Sequence, residues 1–170
     1  MNADDLRALQ APIKERYRQD ATSAVVTLSA RGELDDAGIA CKVDTGRALV
    51  EAGLHPAGGG DGSQACSGDM LLEALVACAG VTLKAVATAL GITLKGGTVS
   101  AEGELDFRGT LGVAKDAPVG FRAIRLKFDL LSDEPDDRIA TLTKLTERYC
   151  VIYQTLANPP PLSLDVQAHD

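Results

Sequence analysis

The sequence predicts an α+β fold built on antiparallel sheet, and three observations predict it. Strand-like segments arrive in consecutive runs and not in regular alternation with helices. One long apolar segment, residues 70–90, has the composition of a buried helix and sits between two such runs. Residues 121–132 alternate apolar and polar side chains as a half-buried strand does.

Taken in order, residues 1–20 form a polar N-terminal helical extension, with a helix expected from about Asp4 to Tyr17 and interrupted by Pro12. Residues 21–170 form the main domain. AVVTLSARG (24–32) reads as a strand, and GIACKVDTGRALVEAG (38–53) as two more around a turn at Asp44–Arg47, which together make a meander. HPAGGGDGSQACSGD (55–69) is a loop. Ser67 or Asp69 can cap the long helix that follows, and Gly91 supplies its left-handed end. Residues 92–109 pair with 121–132, whose Phe121, Ile124, Leu126, Phe128 and Leu130 face one way. Pro135-Asp136-Asp137 opens another helix, with Ile139, Leu142 and Leu145 at helical spacing. A short helix follows Cys150 and stops at Pro159-Pro160-Pro161. LSLDVQA (162–168) is expected to be a final strand.

Of the 170 residues, 45% are hydrophobic and 24% charged, so a packed core is expected. The net charge of −7 argues against nucleic acid, since phosphate binding needs clustered cations. No polybasic block marks a membrane surface, and Glu73 and Lys84 within the apolar segment would be costly in lipid. The opening MNADDLRALQ is not a signal peptide, so the cytoplasm is the expected compartment. Its thiols then have chemical or packing roles and do not form a secreted disulfide frame.

GGGDGS (58–63) lacks the lysine of a phosphate loop, and the cysteines form no C-x-x-C pair that would hold a metal. Of the two histidines only His55 lies within the fold, a weak base for Cys–His chemistry. Cys78, among Ala74, Leu75, Ala77, Ala79 and Gly80, reads either as a small buried hydrophobe or as a thiol that a substrate can approach. Cys150 follows a helix break and opens a short helix, whose free amides and dipole favour a thiolate, with Arg148 beside it. Cys41 reads as packing in a strand, and Cys66 as an exposed loop thiol.

The run Leu71-Leu72-Glu73-Ala74-Leu75-Val76-Ala77-Cys78, in its small-residue helix ending at Gly91-Ile92, resembles the central helix of the OsmC/Ohr superfamily. ERYCVIYQTL (147–156) resembles the segment carrying that family's second cysteine, and the element order over roughly residues 22–168 is similar as well. The resemblance implies an OsmC-like fold with sheets around long central helices, in an intertwined homodimer with active sites at the interface. It implies a peroxidase of organic hydroperoxides serving the oxidative stress response, with Cys78 peroxidatic and Cys150 resolving. No cofactor is implied; an external dithiol or thiol protein would reduce the disulfide.

The family's arginine, held by a carboxylate before the central helix, has three counterparts in the right part of the chain: Arg16, Arg18 and Arg31. Asp69, in Ser67-Gly68-Asp69, stands near the family's proline-glutamate, and Cys150-Val151 replaces its common Cys-Pro. A non-catalytic OsmC-like protein that binds a small hydrophobic ligand in the interface cleft is the alternative reading.

Overall fold

The computed structural model describes residues 2–19, 31–34, 40–44, 49–112 and 114–168, with the side chains of residues 9, 16–18, 31–34 and 40–44 outside that description. Helix α1 (Ala3–Gln19) opens on a reciprocal cap. Asn2 Oδ1 accepts from the Asp5 amide at 2.8 Å, and Asp5 Oδ2 accepts from the Asn2 amide at 3.1 Å. The helix runs through Pro12 where an interruption was expected, and it contacts the long central helix.

Strands β1 (Arg31–Leu34), β2 (Ala40–Asp44) and β3 (Leu49–Gly53) form the expected antiparallel meander, pairing Leu34 with Cys41 and Cys41 with Ala52. Residues 24–30 and the turn at 45–47 lie outside the described residues. The segment expected to be a plain loop also contains a helical turn (Pro56–Gly58) and a two-residue strand, β4 (Ala65–Cys66), parallel to β3.

Helix α2 (Ser67–Leu90) starts directly after β4, so Cys66 occupies the cap position and makes no side-chain cap bond. Ser67 and Asp69 are therefore inside the first turn and are not the cap. Asp69 still places a negative charge where the helix dipole favours one. At the other end Gly91, with φ 63°, donates to the Ala87 and Thr88 carbonyls as expected of a left-handed cap.

Strand β5 (Gly96–Glu104) pairs with β6 (Ala123–Leu131) in one antiparallel ribbon, joined through the one-turn helix α3 (Phe107–Thr110). Burial along β6 follows the sequence alternation, with Ile124, Leu126, Phe128 and Leu130 turned inward. Helix α4 (Asp136–Tyr149) follows Pro135, and α5 (Val151–Ala157) follows Cys150. Arg138 ties the far end together: Nη1 bonds Glu134 Oε2 at 2.7 Å and Nη2 donates to the free Leu90 carbonyl at 2.8 Å.

Both core clusters are built on α2. One joins Leu83, Val86 and Ala87 to Ile92 and Leu142; the other joins Leu75 and Ala79 to Cys150. The expectation of a buried helix holds for that face only. Val81, on another face, is 72% exposed. Among the described residues α2 is the one helix long and apolar enough to cross a membrane, yet it packs against α4, α5 and β5 and carries Glu73 and Lys84.

The expected strand at 162–168 does not form. The segment has no regular structure, and Leu162, Leu164 and Val166 are 93%, 88% and 81% exposed. A strand needs a partner edge for its backbone groups, and among the described residues this segment finds none. We expect Leu142→Ala, at a position with no exposure, to cost about 2–5 kcal/mol by leaving a cavity against α2. Urea unfolding checks it; a loss below about 1 kcal/mol would mean that the site collapses or was never packed.

Candidate active site

Small side chains let α5 begin close against α2. Cys78 sits one turn after Leu75 and beside Ala79, and packs into the same cluster as Cys150. Cys150 ends α4 and begins α5 with extended backbone (φ −73°, ψ 108°). Its amide donates to the Thr146 carbonyl at 2.9 Å, and its carbonyl accepts from the Gln154 amide at 2.9 Å. The amides of the first turn of α5 have no partner within the helix. They turn onto the two sulfurs: those of Ile152 and Val151 toward Cys78 Sγ, and those of Tyr153 and Ile152 toward Cys150 Sγ.

The electrostatics follow from that arrangement. Burial pushes the Cys78 thiol up, but the Ile152 amide, the Cys150 thiol, the Val151 amide and the Thr82 hydroxyl outweigh it. Cys78 is held below the ordinary thiol value as a result. Cys150 moves the other way. It is 1% exposed, burial raises it, the Tyr153 amide opposes only in part, and the Cys78 sulfur adds both a hydrogen bond and a charge against ionisation. The start of α5 was expected to favour a thiolate on Cys150; the thiolate it favours is that of Cys78, because the first two amides reach across to α2. Tyr153 stays a neutral phenol, pushed up by burial and by Glu147.

The other residues singled out in the sequence lie elsewhere. Asp69 is exposed and shares a hollow of about 440 Å³ with Cys66, His55 and Arg122. Cys66 is therefore outside the cluster that joins Cys78 to Cys150. His55 is committed locally, with Nδ1 accepting from the Ala57 amide at 3.0 Å and its ring stacked on Phe107. Arg16 and Arg18 belong to α1 and Arg31 to β1, but their side chains, like that of Cys41, lie outside the described residues.

Two contributors escaped the sequence reading, the Thr82 hydroxyl and Tyr153; the free amides that open α5 were expected to act, but on Cys150 and not on Cys78. Thr82 was findable, since it lies four residues beyond Cys78 on one helix face. Which sulfur the amides would serve carries no side-chain signal.

Residues 60–165, more than half of the chain, match the OsmC-like protein family. The chain belongs to that family. No curated protein matches it. Solved structures share the fold of this OsmC-like protein at low identity. An OsmC-like protein from Mycoplasma pneumoniae is 17% identical with a TM-score of 0.66, over 79% of this chain and 89% of that one. An organic hydroperoxide resistance protein OsmC from Legionella pneumophila is 14% identical at 0.61, over 79% and 91%. The organic hydroperoxide resistance protein OhrB of Bacillus subtilis is 17% identical at 0.51, over 79% and 93%.

Cys78 reactivity should be present above its lowered folded pKa and lost as pH falls through it. We expect the pH of half-maximal iodoacetamide alkylation to be lower for Cys78 than for Cys150. Val151→Pro fits the first helical position of α5 yet removes one donor, and should raise the Cys78 midpoint. An unchanged midpoint in that variant would show that the Val151 amide does not act on the sulfur.

Proposed function

We propose that this OsmC-like protein is a thiol peroxidase that reduces organic hydroperoxides. The observation that supports the reading best is the packing of Cys78 against Cys150, with their surroundings favouring charge on Cys78 and opposing it on Cys150. A peroxidase needs one thiolate to attack and one thiol in reserve.

In the first step the Cys78 thiolate attacks the outer oxygen of ROOH. The O–O bond breaks, the alkoxide takes a proton and leaves as ROH, and sulfur becomes a sulfenic acid. Loss of the thiolate removes the charge that opposes ionisation of Cys150. Cys150 then attacks the Cys78 sulfur, forming a disulfide and releasing water. Two external thiols, or one dithiol, return both cysteines to the reduced state and take up the oxidising equivalents as their own disulfide. We place this cycle in the cytoplasm, where reducing thiols are supplied. Asp69 with Arg16, Arg18 or Arg31 remains the proposed cationic support for the thiolate.

The same reading takes the working form as a homodimer. An exposed apolar face on α2, including Val81, and the alternating exposed Leu162, Leu164 and Val166 are surfaces a second copy would cover. We expect sedimentation to give the mass of a dimer, and Leu164→Asp to shift it toward monomer. A wild-type chain that sediments as a monomer would remove this part of the reading.

For catalysis, Cys78→Ser should abolish consumption of cumene hydroperoxide, and Cys150→Ser should leave a sulfenic acid that over-oxidises. After one equivalent of peroxide, intact mass should fall by two hydrogens, with the new disulfide mapping to Cys78–Cys150. Turnover retained by Cys78→Ser would refute the mechanism.

A further inference from the structure

Cys78 is half-buried, but Cys150 is 1% exposed. The packing around Cys150 is nevertheless open on one side. A cavity of about 210 Å³ lies there, and Cys150 lines it while Cys78 does not. Ala79 of α2 and Leu126 and Phe128 of β6 make its apolar walls; its polar lining is Thr143, Thr146, Glu147 and Tyr153.

The helix break at Cys150 creates that polar lining. Glu147 stands three residues before the break in the last turn of α4, and Tyr153 three residues after it in the first turn of α5. Gln154 Nε2 donates to the Glu147 carbonyl at 2.9 Å and so ties the two helices across the break. The Tyr153 hydroxyl, kept neutral by burial and by the charge of Glu147, donates to the Glu147 carboxylate. Glu147 is exposed, so the lining runs from the surface to the buried sulfur. The cavity is also roomy and polar enough for solvent to bridge it. The Thr143 and Thr146 hydroxyls donate to the Ile139 and Leu142 carbonyls at 2.7 and 2.8 Å, which leaves their lone pairs to accept. Cys150, Glu147 and Tyr153 are the titratable groups of the lining, since α2 and β6 bring apolar side chains to it. Arg148, the neighbouring cation, lies over the Tyr149 ring.

Cys150 has to lose a proton before its sulfur can attack, and it has almost no exposure of its own. We infer that this proton leaves through the cavity, with Glu147 as its acceptor and Tyr153 as the positioning residue that holds the carboxylate. The Cys150 S–H bond breaks and the proton crosses to Glu147. The S–S bond forms as the S–O bond of the Cys78 sulfenic acid breaks, and hydroxide leaves. Hydroxide takes a proton from solvent and Glu147 returns one to it, so the sum is one water. This deepens the peroxidase reading and rests on it for the oxidant. The proton has the same route in any exchange in which Cys150 attacks a disulfide at Cys78.

The test therefore uses a disulfide and no peroxide. In a Cys41→Ser, Cys66→Ser background, one equivalent of dithiobis-nitrobenzoate should release thionitrobenzoate from the reduced protein in two phases. The first is attack by Cys78, and the second is displacement by Cys150. Glu147→Gln should slow the second phase relative to the first about tenfold or more, a modest share of what a positioned base contributes. Tyr153→Phe should slow it less, and Glu147→Asp should restore most of the rate. In Glu147→Gln the second rate should climb steeply with pH where that of the parent is nearly flat, because ionisation of Cys150 by hydroxide is then the remaining route. Equal slowing of both phases, a parental rate and pH profile in Glu147→Gln, or a parent with no second phase would overturn the inference. Two phases with this dependence on Glu147, in a protein that consumes no cumene hydroperoxide, would refute the peroxidase reading and leave this one standing.

Discussion

Everything at the candidate site depends on how closely α5 begins against α2. The first turn of any helix carries amides with no internal partner, and burying them without a bond is costly. Here they meet two sulfurs, that of Cys78 on α2 and that of Cys150 at the cap of α5. The packing of Leu75 and Ala79 around Cys150 therefore does two things at once. It closes one of the two core clusters, and it aims the Ile152 and Val151 amides at Cys78. A larger side chain at Ala79, which is fully buried, would separate the helices and cost both.

The same closeness makes the two thiols unequal. Isolated, both would be pushed toward the neutral form by burial. Sharing the amides of one helix start, they compete, and the one that collects Val151, Cys150 and Thr82 in addition to Ile152 takes the charge. The other becomes its donor. That asymmetry gives an order of events to chemistry at the pair, because removing charge from Cys78 changes the environment of Cys150 first. Core packing and the inequality of the two thiols are set here by one set of contacts.

The remainder of the fold serves to hold α2 between its neighbours. The β5–β6 ribbon covers it on one side and α4 with α5 on another, while Arg138 closes its free carbonyl end. What is left uncovered includes apolar side chains such as Leu71 and Val81, and the C-terminal segment exposes Leu162, Leu164 and Val166.

Much of the fold was legible in the sequence, because its signals are local. The alternation in 121–131, the Gly91 cap and the helix break at Cys150 follow from backbone preference and side-chain period within a few residues. That Cys78 and Cys150 are candidates for one site could be inferred from the family resemblance of the motifs around them. Which of them the helix start favours could not, since that depends on where α5 lies across α2, and backbone amides leave no mark in a sequence. The cap of α2 was misplaced for a related reason: β4 pairing with β3 draws the helix start to Ser67, ahead of the residue types that usually mark one. The strand pattern of 162–168 shows the opposite limit. The sequence by itself determined that Leu162, Leu164 and Val166 alternate, but only the tertiary structure decided that no edge among the described residues receives them, because a strand is a property of a pair and not of a segment.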